Sequence, residues 1–214
     1  MSGLRRRGVL AHFSLGVLAG WSSGVVAAAE APVILVVGDS LSAEYGLKAG
    51  DGWVALLQKR LAEQKKPQRV VNASISGDTT AGGRSRLPAA LRTHKPAIVV
   101  IELGGNDALR GLPLSSTRDN LLAMAKAAQE AGAKVVVVGM QVPPNYGAAY
   151  GREFEGLFAG VAKQVKAGLV PFLLKGVADR TDAMDWFQPD RIHPLAKAHP
   201  QLLDNVWQAL KPLL

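Results

Sequence analysis

The sequence predicts an α/β fold: a three-layer α/β/α sandwich around a parallel five-stranded sheet in the flavodoxin-like order 2-1-3-4-5. Apolar runs and helix-like segments alternate from Glu30 onward, the pattern of strand–helix–strand units. Runs such as Val33-Ile-Leu-Val-Val37 and Ala97-Ile-Val-Val-Ile101 are apolar at every position rather than every second one, as strands covered on both faces must be. No linker interrupts the pattern. The 214 residues are therefore read as a leader at 1–29 and one folded domain at 30–214.

Val33–Val37 is the first strand, closed by Gly38, and Ser40 stands near the start of the next segment. A helix beginning there would place Ser40 by its N-terminus, where free backbone N–H groups favour developing negative charge. Trp53, Leu56, Leu57 and Leu61 recur at helical spacing, so Asp51 to Gln64 reads as a helix, its ends complemented by Asp51 and by Lys65-Lys66. Arg69–Ala73 is a shorter second strand, with a loop at Ser74–Thr80. A helix around Ala81–Leu91 leads past Pro96 into the third strand, Ala97–Leu103. Thr117–Ala131 carries Leu121, Leu122, Met124, Ala125 and Ala128 at helical spacing and stops at Gly132. Lys134–Gly139 is the fourth strand, with a Pro143-Pro144 loop beyond it. A helix over Arg152–Lys166 precedes the fifth strand, Val170–Leu174, where Pro171 implies an edge position. His199–Leu210 forms the last helix.

Composition narrows the partners. Removing the leader's Arg5, Arg6 and Arg7 from the 25 basic residues leaves 22 against 17 acidic, a net charge of +5 from Glu30 on. These charges are scattered and aromatics are only 6 %, so the basic stripe with stacking rings that marks a nucleic-acid surface is missing. Transient attraction to anionic lipid is compatible with such a charge. Residues 1–29 have a basic start, an apolar stretch from Val9 to Val26 and Ala27-Ala-Ala29 at the end, the layout of a cleavable secretory signal cut after Ala29. His12, Ser14, Ser22 and Ser23 make it a poor permanent span against the roughly 20 apolar residues a membrane helix needs. The expected location is periplasmic or secreted. With no cysteine, the chain has neither disulfide nor thiol nucleophile.

The ends of the first three strands carry Gly38-Asp-Ser40, Ser76-Gly77-Asp78 and Gly104-Gly-Asn106-Asp107. In one parallel sheet these ends lie on the same side, where ligands bind. Downstream, Asp190-Arg-Ile-His193 sets an acid three residues from an imidazole, one face of a helical turn. Acyl transfer needs an activated hydroxyl, a base near neutral pKa, an acid to orient it and donors aimed at the oxyanion. Ser40 suits the nucleophile, His193 the base and Asp190 its orienter. The backbone N–H groups of Ser40 and Gly77 and the side-chain amide of Asn106 suit the oxyanion, Gly77 because a missing side chain lets substrate approach the backbone. Alone, each piece has a plainer reading: a serine after a strand caps a helix, Gly-Gly-Asn-Asp makes a turn, and Asp-x-x-His forms a surface salt bridge. Their joint occurrence at strand ends favours chemistry. His94 and His199 have no carboxylate at helical spacing and are poorer bases. A hard cation held by Asp39, Asp78 and Asp107 is the chemical rival; the triad explains the site without one, so no metal or cofactor is expected.

Gly38-Asp-Ser40-Leu-Ser, Asn72-Ala-Ser-Ile-Ser-Gly77-Asp-Thr, Glu102-Leu-Gly-Gly-Asn106-Asp and Asp190-Arg-Ile-His193-Pro resemble the four blocks of the SGNH (GDSL) hydrolase family. The chain is most similar to its periplasmic thioesterase, lysophospholipase and arylesterase group. Arg86-Leu-Pro-Ala-Ala-Leu, Asp107-Ala-Leu-Arg-Gly-Leu and Pro144-Asn-Tyr-Gly147 extend the likeness over Pro32 to Leu214. The resemblance implies a serine esterase acting on acyl or aryl esters and thioesters, with Ser40, Asp190 and His193 as triad and Ser40, Gly77 and Asn106 around the oxyanion. Glu44 departs from the small residue usual in that group. Its carboxylate is expected either to disfavour anionic substrates or to face solvent.

Leu109, Leu112, Pro143, Pro144 and Tyr146, on loops leaving the strands nearest this site, offer an apolar wall for an acyl chain or aromatic ester. The partner expected is thus a small acyl or aryl substrate, met by a monomer. The alternative is a non-catalytic periplasmic protein in which the same side chains only hydrogen-bond a small ligand.

Overall fold

A strand buried on both faces needs neighbours on both edges and helices above and below, and the central strands of this chain have them. The computed structural model describes residues 30–214; the leader and its cut after Ala29 lie outside the described residues. Strand β1 (Val33–Gly38) is buried throughout, as is β3 (Ile98–Glu102) beside it. The sheet order is β2-β1-β3-β4-β5, all parallel, with β2 at Arg69–Asn72, β4 at Lys134–Val138 and β5 at Gly168–Val170. The edge strand β2 is short and partly exposed. Helices α1 (Trp53–Glu63) and α6 (His199–Leu210) pack together on one face. On the other, α4 (Leu114–Glu130) packs between α2 (Thr80–His94) and α5 (Ala148–Val165), with a short α3 (Gly105–Leu109) between β3 and α4. The three-layer sandwich and strand order agree with the expectation.

The fifth strand differs. It ends at Val170 rather than running over Val170–Leu174, because Pro171 has no N–H to continue the ladder. The next bond to the end of β4 comes from the Leu173 N–H, which donates to the Gly139 carbonyl at 2.9 Å. The chain after Ser40 differs too: no helix starts there. Successive turns carry it away from β1, with the Ser42 and Ala43 N–H groups donating to the Asp39 carbonyl at 3.2 and 2.9 Å.

Helix α1 follows Gly52, whose missing side chain cannot cap it. Capping comes from across the fold instead: the Trp53 N–H donates to Nδ1 of His199, at the start of α6, at 3.0 Å. His199 is 2 % exposed, and burial pushes its pKa below the usual value of 6.5. An unfolded chain therefore binds this proton more readily than the folded one, so acid below about pH 6.5 favours unfolding through this group. Urea unfolding at pH 7 and pH 5 checks this: the wild type is expected to lose more stability between the two than His199→Gln, which cannot take the proton. Equal losses would reject the assignment.

Candidate active site

The tight turn after β1 exists because two side chains close on it. A Cβ on Gly38 would stand 2.8 Å from the Glu102 carboxyl and from the Ser42 side chain, closer than any real side chain comes. Glu102 Oε2 accepts the Ser42 hydroxyl at 2.6 Å, and the Asp39 N–H lies 3.4 Å from it. The Trp53 indole donates to Ser42 Oγ at 3.2 Å. Asp39 Oδ1 accepts the Leu41 N–H at 3.0 Å, bracing the turn from its own side. Ser40 is thereby held at the end of β1 with its hydroxyl at the surface of a cleft.

Ser40 Oγ lies 2.8 Å from His193 Nε2, and His193 Nδ1 lies 2.7 Å from Asp190 Oδ2. The acid and imidazole do not sit on a helical turn, as the spacing suggested. Arg191 between them is left-handed, with φ 59°, and Asp190 Oδ1 accepts the N–H groups of Ile192 and His193 at 2.9 and 3.0 Å. Asp190 thus folds its own loop while its other oxygen holds the ring, the usual habit of aspartate in a turn. Burial would raise its pKa, but the His193 backbone N–H, the imidazole and the Ile192 N–H outweigh it and hold it at about 2. Near neutral pH the carboxylate is ionised, which keeps the imidazole proton on Nδ1 and leaves the Nε2 lone pair toward Ser40. Tyr45 packs against the imidazole at 4.3 Å between ring centroids.

Gly77 and Asn106 reach the same cleft from the next two strand ends. Gly77 adopts φ 78°, a conformation costly for any residue with a Cβ, and its carbonyl accepts Arg110 Nη2 at 2.7 Å. Asn106, in the first turn of α3, donates one amide hydrogen to Asp39 Oδ2 at 3.1 Å, leaving the other for a ligand. Asp39 is 3 % exposed; burial lifts its pKa to about 6 against the pull of the Leu41 N–H, the Asn106 amide and His193. Burial, then repulsion from Asp39, raises the Glu102 carboxyl well above its ordinary range too. Arg86 ties the loops together, donating to the Ala73 carbonyl, to the Gly38 carbonyl at 3.3 Å and to Asp78 at 2.7 Å.

The cleft has a volume of about 860 Å³. Leu109, Pro143 and Pro144 line it; Leu112 and Tyr146, expected beside them, do not. Leu112 lies in the loop before α4, its N–H turned back to the Asp107 carbonyl, and Tyr146 stacks on Tyr150 at 6.0 Å. Their place is taken by Met140, Val142, Phe172, Leu174, Phe187 and Ile192. Phe172 and Leu174 carry no separate signal in the sequence, because their apolar run reads as a strand that Pro171 ends. Phe187 and Ile192 lie in a long irregular segment with no periodicity to read. Glu102 did leave a signal, a carboxyl in an otherwise apolar run.

Glu44 neither lines the cleft nor simply faces solvent. With φ 59° it folds back, and its carboxylate accepts the N–H groups of Gly50 and Gly52, the shorter bond 2.9 Å, bracing the approach to α1. Asp39, Asp78 and Asp107 are likewise spent separately, Asp107 on Thr80 and Thr117. Among the described residues no group of three or more His, Asp or Glu could hold a metal ion.

The model of the GDSL-like Lipase/Acylhydrolase family matches residues 36–200. Esterase TesA of Pseudomonas aeruginosa is 56 % identical over 186 residues, covering 87 % of this chain and 91 % of that protein. Thioesterase 1/protease 1/lysophospholipase L1 of Escherichia coli is 38 % identical over 187 residues, 87 % of each chain. A crystal structure of TesA superposes with a TM-score of 0.82 at 55 % identity, covering 85 % of this chain and 99 % of that one.

Proposed function

The chain belongs to the GDSL-like lipase/acylhydrolase family, and we propose that it is a serine esterase cleaving ester and thioester bonds of acyl or aryl substrates through an acyl-enzyme. One observation carries this reading: the unbroken relay from Asp190 through His193 to Ser40, at 2.7 and 2.8 Å, ending on the wall of an apolar cleft. A protein that only bound a ligand would have no need of a carboxylate that orients an imidazole on a serine.

In the first half-reaction Ser40 Oγ attacks the substrate carbonyl carbon while its proton passes to His193 Nε2. The carbonyl oxygen becomes the oxyanion, met by the N–H groups of Ser40 and Gly77 and the free amide hydrogen of Asn106; losing one such donor costs about 3 kcal/mol of transition-state stabilisation. Collapse of the tetrahedral species breaks the bond to the alkoxide, phenoxide or thiolate, which takes the proton from His193. Water then repeats the sequence on the acyl-serine and restores the enzyme. Asp190 stays ionised throughout and offsets the charge of the imidazolium. The scheme uses no metal and no cofactor.

The apolar cleft wall supports an acyl chain or aromatic ring as the group bound beside the scissile bond. A monomer suffices, since all the reacting groups come from one chain. The layout of residues 1–29 supports export to the periplasm or beyond, and a mass beginning at Glu30 for the exported protein is the expected result; retention of the leader would contradict it.

Hydrolysis of a short p-nitrophenyl ester tests the chemistry. Ser40→Ala is expected to abolish turnover, and Asp190→Asn to lower kcat by about 10⁴-fold with unchanged unfolding temperature, because the amide stabilises the wrong tautomer. Persisting turnover in Ser40→Ala would place the reaction elsewhere. Leu109→Ser is expected to reduce kcat/KM for a long-chain ester roughly tenfold more than for a short one, whereas Leu112→Ser leaves the chain-length profile as it is. An unchanged profile in Leu109→Ser would remove that residue from the acyl site.

A further inference from the structure

Gly77 and Asn106 approach the oxyanion from strands that are not neighbours. Their loops leave β2 and β3, and β1 lies between those strands, so no sheet ladder sets the distance between the two donors. Gly77 does not hold itself in place either. It is the third residue of the turn Ile75 to Asp78, closed by the Asp78 N–H on the Ile75 carbonyl at 3.0 Å, and its φ of 78° lies in a region that glycine enters and leaves with little strain.

Neighbouring elements anchor this loop. The Ile75 N–H donates to the Gly38 carbonyl at 3.0 Å, toward β1. Arg86, on α2, donates to the Ala73 carbonyl and to Asp78. On the α3 side Asp107 accepts the Thr80 N–H at 2.9 Å, beyond the turn. The bond that Gly77 itself makes goes elsewhere: its carbonyl accepts Arg110 Nη2 at 2.7 Å. The backbone N–H of the same Arg110 donates to the Asn106 carbonyl at 3.1 Å. One residue therefore touches both donor residues, Asn106 through its main chain and Gly77 through its side chain. Arg110 is exposed, does not line the cleft and forms no ion pair among the described residues.

We propose that Arg110 is a positioning residue of the oxyanion site, its guanidinium setting the place of the Gly77 N–H relative to the Asn106 amide. Donors act on an oxyanion when they stand about 3 Å from it, and a misplacement of about 1 Å costs up to about 10²-fold in rate. This role rests on the esterase reading, in which the two donors serve one oxygen.

Arg110→Ala in the full mature protein tests it. With a short p-nitrophenyl ester, kcat is expected to fall at least about tenfold while KM stays within about twofold, because the donors act on the transition state more than on the bound ester. Arg110→Lys, which keeps a donor, is expected to recover part of the rate. Guanidinium far below denaturing concentration is expected to restore Arg110→Ala where equal sodium chloride does not. The unfolding temperature stays the same, as for an exposed side chain. The Asp78 amide, whose N–H closes the turn, is expected to exchange its hydrogen faster in Arg110→Ala and to slow again with guanidinium. An unchanged kcat, a loss confined to KM, or a loss that guanidinium does not restore would overturn the proposal. A wild type without turnover would contradict the esterase reading instead, and Asp78 exchange that Arg110→Ala leaves unchanged would still remove Arg110 from the positioning role.

Discussion

The parallel register of β1 against β3 is the constraint from which the site follows. Gly38 pairs with Glu102 at the carboxyl ends of these strands, so the turn bearing Asp39-Ser40 and the turn bearing Gly104-Gly-Asn106 leave the sheet side by side. The same register lets Glu102 receive the Ser42 hydroxyl and Asn106 reach Asp39. A slip of one residue would turn the apolar side chains of these buried strands to the opposite faces and part those bonds together. Since β1 and β3 are covered on both sides, the core that fixes the register also fixes the distance between Ser40 and the turn bearing Asn106.

Around that frame, environment rather than residue type divides the work among carboxyl groups. Asp190, on a loop rich in donors, is held at about 2 and serves as a permanent negative charge behind His193. Asp39, deep in the turn, rises to about 6 yet keeps Leu41 and Asn106 as partners. Glu102, equally buried and facing Asp39, is likewise pushed well above the usual carboxylate range by burial and then by Asp39, and its carboxyl accepts the Ser42 hydroxyl. An ionised Glu102 would add a second buried charge beside Asp39, at a cost that a bond from Ser42 does not offset.

Much of this was legible in the amino-acid order because the information is local or periodic. Uniformly apolar runs disclosed the buried strands, and parallel topology alone brings Ser40, Gly77 and Asn106 to one edge. What stayed hidden depends on where the chain stops obeying a period. Pro171 cut the fifth strand short and sent Phe172 and Leu174 to the cleft, which no hydropathy pattern distinguishes from a continuing strand. The left-handed Arg191 made Asp190-to-His193 a turn rather than a helical face, although either geometry brings the two side chains together. Capping of α1 by His199 spans 146 residues and leaves no local signal.

The proposed serine chemistry is tested most directly by the structure and intact mass of the protein after reaction with a p-nitrophenyl alkylphosphonate, whose tetrahedral phosphorus imitates the oxyanion intermediate. One adduct is expected, on Ser40 Oγ, with its phosphoryl oxygen about 3 Å from the N–H groups of Ser40 and Gly77 and from Asn106 Nδ2. An adduct on another residue, or one whose oxygen points away from Gly77 and Asn106, would contradict it.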